Sequence, residues 1–171
     1  MPGTRIHSHH RNAPFCRGRG RYFGNAQEWY EKVKPLLPFV DYVDIEQRFA
    51  MYAAPIGAAG KTIIASHHTN LMPSLPDLFG LERNLRAYGD IPKIIVTPSN
   101  KEDIVNLLSF TLAARKPICT GVMGNTFRWA RAMLPFFGSE FAYCHTGSAT
   151  AEGQYSVEEC ADLLKRLKTH A

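Results

Sequence analysis

From residue 26 onward the apolar positions of the chain follow two alternating rhythms. Trp29, Val33, Leu36 and Leu37 recur at helical spacing and predict a helix over 26–37. Residues 41–46 switch to period two, with Val43 and Ile45 on one face and Tyr42, Asp44 and Glu46 on the other, which predicts a strand. A helical stretch over 47–59 follows; the Gly60-Lys61 pair reads as its stop, and the β-branched run 62–66 as a second strand. Residues 75–88 predict a helix and 91–97 a third strand, closed by Pro98. Ser99 reads as an N-cap, with Glu102 completing a capping box for a helix over 100–114 that ends before Pro117. A fourth strand over 118–122 leads through a helical stretch to a fifth over 141–145. An amphipathic helix over 157–168 closes the chain, with Ser156 as N-cap and Glu159 as its capping-box partner. Residues 4–9 are a candidate sixth strand.

Apolar strands that alternate with amphipathic helices predict an α/β fold with a parallel sheet. A barrel and a doubly wound sheet both fit this rhythm. No glycine-rich phosphate loop follows any strand, which disfavours the nucleotide-binding versions. A length of 171 residues suffices for one domain with a core, but falls short of the roughly 200–250 residues of a full eight-stranded barrel. No apolar run approaches the ~20 residues of a membrane span, and the first residues lack a secretory apolar stretch. Cys16, Cys119, Cys144 and Cys160 form no CxxC pair, so zinc and redox motifs are unsupported. Free thiols and a cytoplasmic location are expected.

The formal charge of +5 is local. Residues 1–22 hold Arg5, Arg11, Arg17, Arg19 and Arg21 and no acid, and the other 15 basic residues are matched by 15 acidic ones. Residues 1–22 therefore read as a basic, flexible arm and 23–171 as the folded domain. The body has no bias toward nucleic acid. His7, His9 and His10 sit in the arm with no carboxylate or cysteine at ligand spacing, so no metal site is expected.

In a parallel barrel, catalytic groups gather at the C-terminal ends of the strands. Lys93 is the only charge between Ile91 and Pro98, and alternation places it with Ile95 and Thr97. If that face lines a low-dielectric cavity, burial should lower the lysine pKa and supply the neutral amine that Schiff-base chemistry requires. A lysine at the start of a strand, snorkelling to solvent, is the competing reading. His67 and His68 follow the second strand and point in opposite directions, so at most one enters a shared cavity. Either could be a packing residue or a proton carrier near neutral pH. Asp44 and Glu46 would balance a cationic imine if their face points inward, and are a solvated polar edge if it does not.

Taken together, Ile63-Ile64-Ala65-Ser66-His67-His68, Ile91-Pro92-Lys93-Ile94 and Ala149-Thr150-Ala151-Glu152-Gly153-Gln154 resemble the type I 3-dehydroquinate dehydratase family. Asp41 to Glu46, Val122-Met123-Gly124 followed by Arg131, and Phe137-Gly138-Ser139 appear in the same order as in that family. The likeness runs from about Gly24 to Lys168.

The resemblance implies a (β/α) barrel of the TIM type, incomplete at its N-terminal side, with about six of eight βα units. It implies a lyase of the shikimate pathway that converts 3-dehydroquinate to 3-dehydroshikimate and water. Lys93 would form an imine with the substrate ketone, and His68 would remove the C2 proton and then protonate the departing hydroxyl. Arg131 would bind the substrate carboxylate, and Thr150 and Gln154 would hydrogen-bond the substrate. The imine is the electron sink, so the resemblance implies neither metal nor organic cofactor; it also implies a homodimer with no membrane or nucleic-acid partner. Some positions depart from the family. Gly18 stands where the family has a glutamate that orients the histidine, Glu152 replaces a proline, and the first two βα units of the family have no counterpart. These departures keep a second expectation open, that of a catalytically impaired, truncated barrel acting as a non-enzymatic or partner-dependent protein. An aldolase-like imine barrel is disfavoured by the Ser66-His67-His68 and Gly153-Gln154 motifs.

Overall fold

In the computed structural model, which describes residues 24–149 and 151–168, four predicted strands form one parallel sheet in chain order. These are β1 (Tyr42–Glu46), β2 (Thr62–His68), β3 (Ile91–Val96) and β4 (Cys119–Val122). They alternate with α1 (Ala26–Val33), α2 (Ala53–Ala58), α3 (Leu75–Arg86), α4 (Lys101–Ala113), α5 (Ala130–Met133) and α6 (Val157–Lys168). Sequential parallel strands joined by helical crossovers are the arrangement of a (β/α) barrel, here not closed among the described residues. The arm over 1–22 and the candidate strand over 4–9 lie outside the described residues. Among the described residues no helix is long and apolar enough to cross a membrane.

Alternation divides the sheet into two faces. The outward residues Ala65, Ile94, Val96 and Val122 pack against Leu78 and Leu85 of α3 and Ile104, Leu107 and Phe110 of α4, forming the main core. Val43, Ile45 and Ile63 continue that layer against Trp29 and Val33 of α1, Phe49 and Ile56. Trp29 stacks on Phe49 there with ring centroids 4.5 Å apart. Every residue of β3 is buried, as expected of a strand covered on both faces.

Phe110 is fully buried and meets Phe79 edge to face at 5.0 Å. Phe110→Ala should cost about 3–5 kcal/mol, the transfer term plus the cavity left behind. Urea unfolding checks this: the midpoint should fall with little change in slope. A loss below about 1 kcal/mol would mean that α4 does not close this core.

Several boundaries differ from the sequence reading for identifiable reasons. The first helix is α-helical only to Val33 and continues as a 3-10 helix over Lys34–Phe39, where Pro35 and Pro38 lack the amide hydrogens an α-helix needs. Residues 47–59 likewise divide into a 3-10 helix, Gln47–Tyr52, and α2. The cap of α4 is Asn100 rather than Ser99: Asn100 Oδ1 accepts from the Asp103 amide at 2.8 Å, and Ser99 N donates to Asp103 Oδ2 at 2.7 Å. The expected capping box on α6 is present, with Glu159 N donating to Ser156 Oγ at 3.1 Å and Ser156 N to Glu159 Oε2 at 2.9 Å.

The fifth predicted strand, 141–145, does not form a ladder strand; only an isolated bridge joins His145 to Ser156. The segment is reached through a single bridge between Ile118 and Ser139, after which the Ser139 side chain takes over the pairing. Ser139 Oγ accepts from Thr120 N at 3.0 Å and lies 3.2 Å from both the Thr120 and Phe141 carbonyl oxygens. A side chain that occupies backbone partners interrupts the ladder.

Candidate active site

Residues paired across parallel strands project to the same side, so the register determines what shares the face opposite the helices. Glu46 pairs with Ser66, Ser66 with Lys93, and Lys93 with Cys119. His68 lies two residues beyond Ser66 and pairs with Ile95. Asp44, Glu46, Ser66, His68, Lys93 and Cys119 therefore share one face, floored by Ile64 and Ile91 with Tyr42, Phe141 and Tyr143 against them. His67 falls on the opposite side of β2, which separates the two histidines that the sequence could not distinguish before the family likeness was considered.

Lys93 is buried, with only 8% of its surface exposed. Its Nζ donates to Asp44 Oδ2 at 2.7 Å and sits 4.3 Å above the Tyr143 ring. Burial alone would depress the lysine pKa, but the Asp44 carboxylate outweighs it and the pKa is raised above its ordinary value. The sequence expectation of an amine neutralised by burial is therefore corrected: in the unliganded site Lys93 is an ammonium, because burial came with a counter-ion. Burial likewise pushes the Asp44 carboxyl up, and the charge and hydrogen bond of Lys93 pull it below its usual value. The Asp44 side chain keeps 40% of its surface, at the open edge of the face.

His68 stands at the exposed C-terminal rim of β2. Partial desolvation and the nearby Lys93 ammonium disfavour the imidazolium and lower the pKa below 6.5, against a smaller opposing pull from Asp44 and Glu46. The ring is therefore a neutral base at neutral pH. Cys119, also on this face, is fully buried, and burial raises its thiol pKa to about 11, so it remains an inert thiol. Among the described residues no group of three His, Cys, Asp or Glu side chains could hold a metal ion. Cys119, Cys144 and Cys160 are free thiols, and Cys16 lies outside the described residues.

The remaining expected site residues come from the segments after β4. Arg131 lies in α5, and its Nη2 donates to the Glu152 carbonyl at 3.1 Å while its Nε is buried without a hydrogen-bond partner. Among the described residues no carboxylate pairs with Arg131, which leaves its charge available to an anionic group. Gln154 is half-buried in the loop that Arg131 holds, and its backbone N donates to the Ala151 carbonyl at 3.3 Å. Thr150 lies outside the described residues. The structure thus groups His68 with Lys93, and Arg131 with the loop carrying Gln154.

The sequence raised Asp44 as a possible inward carboxylate and Tyr143 as a polar residue ending the last strand, but paired neither with Lys93: Asp44 lies on β1 with β2 between them, and Tyr143 lies in a segment that makes no ladder. Ser66 and Cys119 of the same face were not singled out.

Comparisons with known proteins bear on the family and the fold. The family model for type I 3-dehydroquinase matches residues 17–171. A protein named 3-dehydroquinate dehydratase from Methanoregula boonei is 62% identical over 148 residues, covering 86% of this chain and 71% of that protein. One of the same name from Methanospirillum hungatei is 41% identical, covering 82% of this chain and 55% of that protein. The crystal structure of 3-dehydroquinate dehydratase from Aquifex aeolicus superposes with a TM-score of 0.74 at 30% identity, covering 86% of this chain and 68% of that one. The chain therefore spans between about half and three quarters of the length of these relatives. With a family model matching residues 17–171 and a relative 62% identical, the chain belongs to the type I 3-dehydroquinase family.

Proposed function

We propose that the chain dehydrates 3-dehydroquinate to 3-dehydroshikimate through an imine on Lys93, as a step of the shikimate pathway. The observation that carries this reading is a buried lysine held 2.7 Å from a carboxylate on the face that also presents a neutral histidine. After losing a proton, Nζ adds to the C3 carbonyl carbon, and loss of water gives a cationic iminium. His68 removes the C2 proton, and the electron pair moves toward the iminium nitrogen. Collapse of the resulting enamine expels the C1 hydroxyl, which leaves as water after His68 returns the proton. Hydrolysis of the iminium frees Lys93 and the product, so the net change is one water lost.

Asp44 has a definite part in this scheme. It opposes release of the ammonium proton in the resting site, a cost at the first step. It also stabilises the iminium cation whose electron demand drives removal of the C2 proton. The second effect acts where charge is needed, in a site partly screened from water. Arg131 is suited to the substrate carboxylate because its planar guanidinium can bind such a group in bidentate fashion. Gln154, on the loop held by Arg131, would contact the bound substrate, and Thr150 is assigned the same task from the family motif.

The test is direct turnover. Purified chain mixed with 3-dehydroquinate near neutral pH should produce the conjugated enone absorbance of the product. Borohydride added during turnover should leave one reduced adduct per chain by intact mass. No absorbance and no adduct would overturn the proposal. An adduct without absorbance would favour an impaired barrel whose lysine still reacts; the 40% exposure of Asp44, at an edge where no further strand is described, is consistent with that outcome.

A further inference from the structure

We propose that Arg128 is a positioning residue that latches the loop residues 151–155 in place, so that Arg131 is free to leave that loop for substrate. The inference rests on the proposed function only in the identity of the ligand. The loop is pinned at its base, where His145 N donates to the Tyr155 carbonyl at 2.9 Å and Val157 N to the His145 carbonyl at 3.0 Å. Two residues before His145 is Tyr143, which lies under the Lys93 ammonium. The foot of the loop is thus tied in sequence to the face that holds the reactive lysine.

Two arginines three residues apart reach the loop at different points. Arg131 takes the Glu152 carbonyl near the tip. Arg128 lies over the Tyr155 ring at the foot, with Cζ 4.0 Å from the centroid, well inside cation–π range. Its Nη2 is also 4.0 Å from Glu159 Oε2, and the same oxygen caps the amide of Ser156. Arg128 therefore joins Tyr155 to the first turn of α6. Between the two contacts Gly153 presses on the turn after β4: a Cβ there would lie 2.4 Å from the Gly124 carbonyl oxygen, and φ is +72°. The loop is thus seated against that turn.

The two contacts differ in what substrate would do to them. A carboxylate on Arg131 competes with a single neutral carbonyl for the guanidinium, and an ionic acceptor wins that competition. The Arg128 contact uses an aromatic face and a carboxylate already within the fold, so it does not depend on the Glu152 carbonyl that Arg131 would give up. Arg128 is then what keeps the loop, and Gln154 with it, seated while Arg131 turns to substrate.

Hydrogen exchange on the unliganded full chain tests the latch whether or not the chain turns over. In Arg128→Met, the amides of His145 and Gln154 should exchange about tenfold faster, while those of β2 and β3 stay within about twofold. Arg128→Lys should recover part of the protection, since an ammonium also binds an aromatic face. With 3-dehydroquinate, KM should rise about tenfold in Arg128→Met and kcat should change less than about threefold, as expected for a residue that holds a binding loop. Unchanged exchange at the loop would overturn the latch, and so would accelerated exchange across β2 and β3, which would mark a general structural role. If the unsubstituted chain is inactive, the proposed function fails while the exchange result still decides the latch.

Discussion

Lys93→Met is expected to abolish both turnover and the borohydride-trapped adduct, with kcat falling by at least about 10⁴-fold, or roughly 5 kcal/mol of lost transition-state stabilisation. Among the described residues Lys93 is the only buried lysine, and its carboxylate partner lies on this same face. Methionine has a similar length and no charge, so it removes the nucleophile while filling most of the space. The folding cost should be small, because two opposing effects nearly cancel. The buried ammonium no longer needs desolvation, and Asp44 loses its partner but keeps 40% of its surface in contact with solvent. The melting temperature should therefore stay within a few degrees of the unsubstituted chain, which separates lost chemistry from lost fold. Intact mass after borohydride, turnover by enone absorbance and thermal melting by circular dichroism together check the claim. An adduct of unchanged yield on Lys93→Met would assign the imine to another lysine.

The parts of the fold legible in the sequence are those encoded locally. The Ile63-Ile64 and Ile94-Ile95-Val96 runs mark strands because β-branched residues fit a pleat, and the Ser156/Glu159 pair marks a helix start because both groups bind orphan amides. Errors arose where a side chain competes with the regular pattern. Pro35 and Pro38 tighten a helix into a 3-10 turn, Asn100 captures the cap expected of Ser99, and Ser139 occupies the partners a fifth strand would use.

The site was legible as residue identities and not as electrostatics. Alternation placed Lys93 on one face of its strand, and the family motifs selected His68, the histidine that the register also places on that face. The charge state of Lys93 depends on Asp44, 49 positions earlier and across an intervening strand. No pattern in a single sequence states that contact. The latch is hidden for the same reason: Arg128 and Tyr155 are brought together only when the loop after His145 folds back on the turn before α5.

His68→Gln should separate proton transfer from imine formation. Glutamine cannot take up the C2 proton, so kcat should fall about 10²- to 10⁴-fold, the range for loss of a general acid–base group. Lys93 and Asp44 are untouched, so the borohydride adduct should still form and should accumulate, since its consumption is slowed. The pH dependence supplies an independent check. The active form is the neutral imidazole, so kcat/KM in the unsubstituted chain should be highest above the His68 pKa and fall as pH drops through it. Partial desolvation and the Lys93 ammonium both shift that pKa below 6.5, so the acid limb should lie to the acid side of an ordinary histidine. The iminium that replaces the ammonium is also a cation and should hold the shift in the same direction. In His68→Gln that limb should vanish from the residual rate. A limb that persists unchanged, or a kcat within a few-fold of the original, would move the proton-transfer role to another group. Glu46 would then be the next to test, being on the same face and paired in register with Ser66, two residues before the histidine.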